Sequence, residues 1–289
     1  MVPIAEFEAA RPQLTALAFR LLGSVDDAED AVQNTWLKAT AADPGALRNP
    51  AAWLTTVLTR VCLDQLRARR RRREEPLFAE LIPAEAQAAD ERYLRRERIS
   101  RALLVVLGQL TPPQRVAYVL HDLFDVPFRE VAETLGTSQA SAKKHASRAR
   151  ARVQDADPAP AATARADGSV VDAFLAAAAG GDLDRMLTLL ADDCVRTADA
   201  TLVPRGTPTR VAGAAEVAVE TRLFADRIRA SAPMLLAGRR VHVIAPGGHP
   251  LAVIDLTTEA GRVTHIAITP ATTHPAFAPQ PTASARGFQ

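Results

Sequence analysis

Cysteine is scarce in this chain of 289 residues, with Cys62 and Cys194 as the two examples. Two distant thiols form neither a disulfide framework nor a Cys-rich metal site, so we expect no bound metal and a reducing compartment. Long apolar runs are missing too, and no stretch approaches the ~18 residues that a membrane span needs. The first residues, MVPIAEFEAARP, contain acids and no apolar segment of a signal peptide. These absences predict a cytoplasmic protein with no membrane partner and no cofactor.

Aromatic residues make up 4% of the chain and the net charge is only +2, so the overall charge does not identify a partner. The cations are clustered instead. Arg67 and residues 69–73 form an almost unbroken arginine tract. Burying unpaired guanidinium groups is costly, so this tract is predicted to stay unpacked. The length allows about two or three compact units.

The arginine tract ends a helix predicted from Asn49, which is placed to cap it, and Pro50, which suits its first position. One helical face is apolar and must meet a core. Another face carries Trp53, Thr56, Arg60, Asp64 and Arg67. An aromatic followed by cations suits unstacked bases and phosphates. A merely solvated helix end is the alternative.

Two further helices are predicted before this one. The first spans residues 4–22 and stops at Gly23. Ser24 begins the second, with acids that include Asp27 and Asp30 near the positive end of the helix dipole. Such acids either cap the helix or form a docking surface, and the sequence leaves both open.

Residues 74–91 are acidic and interrupted by prolines, which predicts a linker, and a helix is expected from Arg92 to Leu110. A helix-turn-helix follows, with its two short helices joined at Gly136. The second helix, from Ser138 to Val153, contains five cations and no acid. Its exposed face is predicted to centre on Ser141, Lys144 and Arg148, flanked on one side by Lys143 and Arg150 and on the other by His145 and Arg152. This composition and position predict a DNA recognition helix.

A Pro- and Ala-rich linker over residues 154–168 precedes a third unit, 169–270. Helices are predicted at 170–179, 183–190 and 214–228, followed by strands at 239–245, 251–258 and 262–269. Gly247-Gly248 is expected to supply a hairpin turn. Helices first and strands last indicate an α+β layer fold. The tail, 271–289, is predicted to be disordered.

The segments DDAEDAVQNTWLKA and NPAAWLTTVLTRVCLDQLRARR resemble region two of bacterial extracytoplasmic-function sigma factors. The resemblance implies a domain over residues 1–73 that binds core RNA polymerase and the minus-ten promoter element. It implies polymerase contacts, on the β′ clamp helices, at Asp27, Asp30, Gln33 and Trp36. It implies promoter contacts at Asn49, Trp53, Arg60 and Arg67. The acidic linker is then either a plain tether or a segment that threads the basic polymerase cleft.

Residues 92–153, with LTPPQRVAYVLHDLFDVPFREVAETLGTSQASAKKHASRARARV, resemble sigma region four. The resemblance implies polymerase binding at the β flap and reading of the minus-thirty-five element. The implied contacts are Ser141, Lys143, Lys144, His145 and Arg148. The segment VVDAFLAAAAGGDLDRMLTLLADDCV resembles the SnoaL-like polyketide-cyclase fold, a cone with a pocket that could hold an unknown small ligand. The expected fold is thus mainly α, with two helical sigma domains and a C-terminal α+β cone-shaped SnoaL-like domain.

Three functions compete at this stage. A sigma factor, with no chemistry of its own and a C-terminal domain that regulates it in cis, accounts for the whole chain. A conventional helix-turn-helix regulator accounts only for residues 111–153. A SnoaL-like enzyme with a DNA-binding appendage accounts only for the last third. Acid and base residue types are present there, but no spacing ties them into a catalytic set; they are Asp192, Asp193, His242, His249 and His265.

Overall fold

The computed structural model describes residues 2–41, 49–72, 79, 82–157 and 165–277. Predictions for the remaining residues lie outside the described part. They concern the end of the arginine tract at Arg73, most of the first half of the acidic linker, the middle of the Pro- and Ala-rich linker at 158–164 and the tail from residue 278. The two ends of that Pro- and Ala-rich linker, 154–156 and 165–168, are helical, so the predicted linker is too long.

Three helices form the first unit: α1 Ile4–Leu22, α2 Val25–Thr40 and α3 Pro50–Arg72. The predicted boundary between α1 and α2 is confirmed, because Gly23 has a φ of 83° and Ser24 Oγ accepts a hydrogen bond from the Asp27 N–H. The apolar stripe of α3 enters a shared core, with Leu54 and Leu58 fully buried.

The next helix begins earlier than the sequence predicts. Helix α4 spans Ala84–Arg96 and so occupies part of the expected linker, while α5 spans Arg101–Gln109. The single helix predicted from Arg92 to Leu110 is therefore wrong. The chain reverses at Arg98, which has a φ of 51°, and Ser100 caps α5 by accepting a hydrogen bond from the Leu103 N–H.

The helix-turn-helix is present as predicted. Helix α6, Pro112–Tyr118, continues into a π-helical turn, Val119–Leu123, and leads to α7, Phe128–Leu135. Gly136, with a φ of 64°, makes the turn to α8, Gln139–Ala156. Because α8 runs beyond Val153 and includes Asp155, the expectation of a helix without acids is wrong at its end.

The last unit begins with α9 Arg165–Gly180 and α10 Leu183–Leu189 and also contains α11 Ala214–Thr221 and α12 Ala225–Arg229. A 3-10 turn, Arg222–Phe224, interrupts the single helix predicted over 214–228. The strands are β1 Leu190–Ala198, β2 Arg210–Ala212, β3 Ser231–Leu236, β4 Arg239–Ile244, β5 Ala252–Glu259 and β6 Arg262–Pro270. The three predicted strands are β4 to β6. Strands β1, β2 and β3 were not predicted from the sequence. Strand β1 contains two adjacent acids, β2 is only three residues long, and β3 contains Pro233, so none of them shows a typical strand pattern.

All six strands form one sheet in the order β2-β1-β6-β5-β4-β3. Strands β1 and β6 pair in parallel and the other neighbours are antiparallel. Helices α9, α10 and α11 share an apolar core with one face of the sheet. The α+β architecture predicted for this unit is therefore confirmed.

The opposite face of the sheet packs on the helical units. Val105 and Val106 of α5 and Val153 of α8 share an apolar cluster with Met234 and Val243. Residues 271–277 belong to the same cluster through buried Ala271 and Phe277, so the prediction of a disordered tail is wrong for them. The first two helical units also share one core. The three units are thus packed against one another.

Candidate nucleic-acid interface

The recognition helix α8 presents a compact cationic surface. Its start is fixed by Ser138, whose Oγ accepts a hydrogen bond from the Ser141 N–H at 3.2 Å. Lys144 and Arg148 follow one turn apart, and both are exposed. Neither forms an ion pair with any residue in the described part of the chain. Lys143 is also exposed and lies 5.9 Å from the centroid of the Phe128 ring.

The remaining basic residues of α8 are engaged within the protein. Arg150 Nε donates to Asp122 Oδ1 at 2.5 Å, and Arg152 Nη1 donates to the Gln109 carbonyl oxygen at 3.1 Å. His145 is half-buried. Burial, and then the neighbouring cations Arg148 and Lys144, lower its pKa, which favours the neutral imidazole. The tertiary structure therefore narrows the free cations of this helix to Lys143, Lys144 and Arg148.

On α3 the predicted promoter residues differ in exposure. Asn49 Oδ1 accepts the Ala52 N–H at 3.1 Å and so caps the helix, as predicted. Trp53 is half-buried and packs against the common core. Arg60 is exposed, and its Nη2 donates to the Glu133 carbonyl oxygen of α7 at 3.3 Å. Arg67 is exposed and lies 3.8 Å from Asp64.

One member of the arginine tract is packed, contrary to the prediction. Arg69 Nη2 lies 2.6 Å from Asp27 Oδ2, and Arg69 Nη1 donates to the Leu22 carbonyl oxygen at 3.4 Å. The cost of covering this guanidinium is offset because it gains a carboxylate partner. The ion pair with Arg69 therefore holds the Asp27 carboxylate against α3, within the first helical unit.

The outer face of α2 carries Asp30, Gln33 and Leu37, all exposed. Leu37 is a large apolar side chain with 59% of its surface in water. Trp36 is half-buried, with its ring centroid 4.8 Å from that of Phe7. The structure therefore separates Asp30 and Gln33, which are free for a partner, from Asp27 and Trp36, which have contacts within the chain.

A buried turn joins the last unit to α4, a role that no local pattern in the sequence predicts. The latch turn, residues 246–250, follows β4, and its Gly247 N–H donates to Glu91 Oε2 at 2.8 Å. Ala79 N–H donates to the Pro250 carbonyl oxygen at 3.0 Å. A Cβ at Gly247 would lie 2.8 Å from Asp90 Cβ. Only glycine fits there, because its φ of 63° and this close approach both exclude a side chain.

A second buried contact joins the two helical units. Arg115 on α6 donates from Nε to the Leu107 carbonyl oxygen at 2.5 Å and from Nη1 to the Leu21 carbonyl oxygen at 2.8 Å. Burial lowers the pKa of Arg115 to about 10, and the nearby Arg69 contributes to the same effect. The end of α1 and the start of the helix-turn-helix are therefore held together by one arginine.

The acid and base candidates for catalysis in the last unit do not converge. A cavity lies between its helices and the sheet, and none of the five candidates lines it. His249 lies in the latch turn, whereas His242 contacts Asp172 at 3.5 Å. His265 contacts Thr197, and Asp192 is on the surface. Within the described residues no cluster of His, Cys, Asp and Glu could hold a metal, and no helix is long and apolar enough to cross a membrane.

Comparisons with known proteins identify the two helical units. Residues 7–72 match the family description "Sigma-70 region 2", and residues 100–153 match "Sigma-70, region 4". The sigma factor EcfG of Rhodopseudomonas palustris (strain TIE-1) is 31% identical over 149 residues, which are 50% of this chain and 79% of EcfG. The chain belongs to the extracytoplasmic-function sigma factor family.

A further relative of this sigma factor is SigJ of Mycobacterium tuberculosis (strain ATCC 25618 / H37Rv), 44% identical over 210 residues. That alignment spans 68% of this chain and 64% of SigJ, so it covers a little less than two thirds of the relative. A crystal structure of SigJ is similar over 96% of this chain and 99% of that chain, with 34% identity and a TM-score of 0.45.

Proposed function

We propose that this chain is a transcription initiation factor that binds core RNA polymerase and directs it to a set of promoters. The observation that carries the proposal is the exposed pair Lys144 and Arg148, on the second helix of a helix-turn-helix in a chain of the sigma family. Two cations one turn apart, without carboxylate partners, can reach guanine edges and phosphates in the major groove.

We assign the other site residues by position. The minus-thirty-five contacts are Ser141, Lys143, Lys144, His145 and Arg148. The minus-ten contacts are Asn49, Trp53, Arg60 and Arg67. The polymerase contacts are Asp27, Asp30, Gln33 and Trp36, with the β′ clamp helices as their surface, and residues 92–153 bind the β flap. The assignments with the most direct structural support are those of the exposed side chains, which are free to contact DNA or polymerase: Asp30, Gln33, Arg60 and Arg67. The chain is then divided into region two (1–73), a connecting segment (74–91) that ends within α4, region four (92–153) and a regulatory SnoaL-like domain (169–270).

The packed arrangement of the three units must open for this function. The two promoter elements lie about 25 base pairs apart, or about 85 Å along a duplex at 3.4 Å per step. In the structure Arg60 of α3, a minus-ten candidate, touches Glu133 of α7 in the helix-turn-helix. One promoter cannot fill both sites while these helices are in contact. We infer that the C-terminal unit regulates the protein in cis, because its latch turn and sheet hold α4, α5 and α8 in place.

The test is run-off transcription with purified core polymerase on double-stranded promoter DNA. The full-length protein is expected to start transcription from specific sites without any other sigma factor. A conventional helix-turn-helix activator would be silent under these conditions, and an enzyme would leave the polymerase unaffected. Silence with core polymerase would therefore overturn the proposal. Because its proposed partner is core RNA polymerase, we propose that the protein acts in the cytoplasm. The proposed function requires no catalytic residue.

A further inference from the structure

The strands that hold the latch turn also form the wall of a cavity inside the C-terminal unit. The cavity measures about 60 Å³. Its walls come from α9, the segment after α11 and one face of the sheet, and they include Phe174, Phe224, Ile254 and Ile266. Since almost all of these walls are apolar, a bound molecule would be stabilised mainly by leaving water.

The polar side chains around the cavity are already bound by protein atoms. Arg196, only 3% exposed, is paired with Glu220 and also donates to two backbone carbonyl groups. Thr221 donates its hydroxyl to a carbonyl oxygen of its own helix, and Arg227 donates to the Leu202 carbonyl oxygen at 2.5 Å. Among the described residues, no buried polar side-chain atom of the lining lacks a hydrogen-bond partner.

These pairings determine the kind of ligand that the cavity can hold. A charged ligand would lose its hydration and find no unpaired group to replace the water, which disfavours its binding strongly. An uncharged apolar ligand avoids this cost. The same pairings leave no free acid or base in the cavity, which favours binding over catalysis.

Two residues in the wall of the cavity lie close to the latch turn in the chain. Ile244 and Leu251 line the cavity and flank the turn on either side, and the Leu251 N–H donates to the Ile244 carbonyl oxygen at 2.8 Å. Benzene binds in an engineered cavity of about 150 Å³. At about 60 Å³ this cavity must widen to admit a ligand of that size. Ile244 and Leu251 are the wall residues through which such widening would reach the latch turn.

We propose that this cavity is a site for an uncharged, apolar small molecule, and that binding there weakens the contact between the latch turn and α4. The proposal rests on the regulation in cis proposed above and names its effector class. By linkage, a ligand that prefers the widened cavity must bind more weakly when the latch is closed.

The site is tested with full-length protein and N-phenyl-1-naphthylamine, an uncharged apolar fluorescent probe. We expect saturable binding that 1-decanol displaces, and at least tenfold weaker displacement by decanoate and by decylammonium. Ala198→Phe and, in a loop that tolerates change, Val203→Trp both fill the cavity and should weaken probe binding at least tenfold. Ala215→Phe, on an exposed position of α11 outside the cavity, is the matched control. Unchanged affinity in both filled variants, or equal displacement by the charged competitors, would overturn the assignment.

The coupling is tested by hydrogen exchange in the same samples. Saturating probe should speed exchange of the Gly247 and Val25 amides at least threefold in the wild type and leave Ala198→Phe unchanged. Binding without this effect would refute the coupling. Run-off transcription by the wild type and by the Ala198→Phe variant distinguishes a failure of the ligand-site proposal from a failure of the proposed transcription function. If no form of the protein starts transcription, the proposed function fails while the binding result still stands.

Discussion

Asp90 and His249 are separated by 159 positions in the chain, yet Asp90 Oδ2 lies 2.9 Å from His249 Nε2. The other oxygen of the same carboxylate accepts the Val25 N–H at 2.7 Å. Both side chains are almost fully buried. One carboxylate on α4 therefore joins the start of α2 in the first helical unit to the latch turn of the C-terminal unit.

Replacing Asp90 by alanine should loosen the packing of the three units. In the closed arrangement the variant leaves the part-buried Val25 N–H and the buried His249 ring nitrogen without their carboxylate partner, and a buried unpaired group costs about 1–3 kcal/mol. We expect a larger radius of gyration in small-angle scattering and faster amide exchange in α4. Glu85→Ala, which removes an exposed carboxylate from the same helix, is the control. Equal compactness of both variants and the wild type would contradict a latch role for Asp90.

The recognition helix gives a second prediction. Lys144→Ala and Arg148→Ala should weaken binding to the minus-thirty-five element, because both side chains are exposed and neither has an ion-pair partner among the described residues. Whichever residue contacts a guanine should also relax specificity at one position, at a cost of about 1–3 kcal/mol. Binding to a set of single-base promoter variants measures both effects. Arg262→Ala, an exposed cation of the C-terminal unit, should have no effect. A variant that loses affinity equally for all sequences contacts phosphate only.

Promoter opening should depend on α3. Arg60→Glu and Trp53→Ala are expected to reduce open-complex formation more than polymerase binding, since base stacking on an aromatic is worth about 1–3 kcal/mol. Arg60 is the cleaner test, because Trp53 also packs on the core and its loss costs stability. Arg11→Glu reverses an exposed charge in the same unit and serves as the control. Permanganate footprinting reports opening, and normal opening in both variants would refute the assignment.

The stability of the C-terminal unit should depend on pH through His242. Burial lowers the pKa of His242 to about 4, and the nearby Asp172 opposes this only partly. In the unfolded chain the pKa is about 6.5, so between pH 6.5 and 4 the unfolded state binds more protons. Stability therefore falls as the pH falls through this window, by about 2–3 kcal/mol. Urea unfolding at pH 7 and 4.5 should show a smaller loss for His242→Gln than for the wild type. The partly exposed His265→Gln should behave as the wild type, and an equal loss in all three would argue against His242.

Truncation tests regulation in cis. Ending the chain at Val153 removes the latch turn and the sheet that hold α4, α5 and α8 in the closed arrangement, so we expect higher run-off activity at matched folded concentration. Ending it at Thr269 removes Phe277 from the same cluster and should raise activity or leave it unchanged. Equal activity from both truncations and the full-length protein would show that the C-terminal unit does not regulate transcription.

The sequence by itself determined the local features of this protein. The boundary at Gly23, the cap at Asn49 and the turn at Gly136 were predictable, because capping and left-handed turns depend on neighbouring residues. Helical periodicity placed the exposed face of α8, and with it Lys144 and Arg148. The division into two helical units and an α+β unit followed from the same local patterns.

Only the tertiary structure decided which charges remain free and where the units meet. Arg69 and Arg150 were expected on open surfaces, but each gained a carboxylate from another helix. Asp90 was placed in an acidic linker, because an acid among other acids gives no local sign of burial. Its burial depends on His249, which is near it only after the whole C-terminal unit has folded and packed on α4. Hydrogen bonds between distant segments form when two complementary surfaces meet, and no short stretch of sequence contains both surfaces.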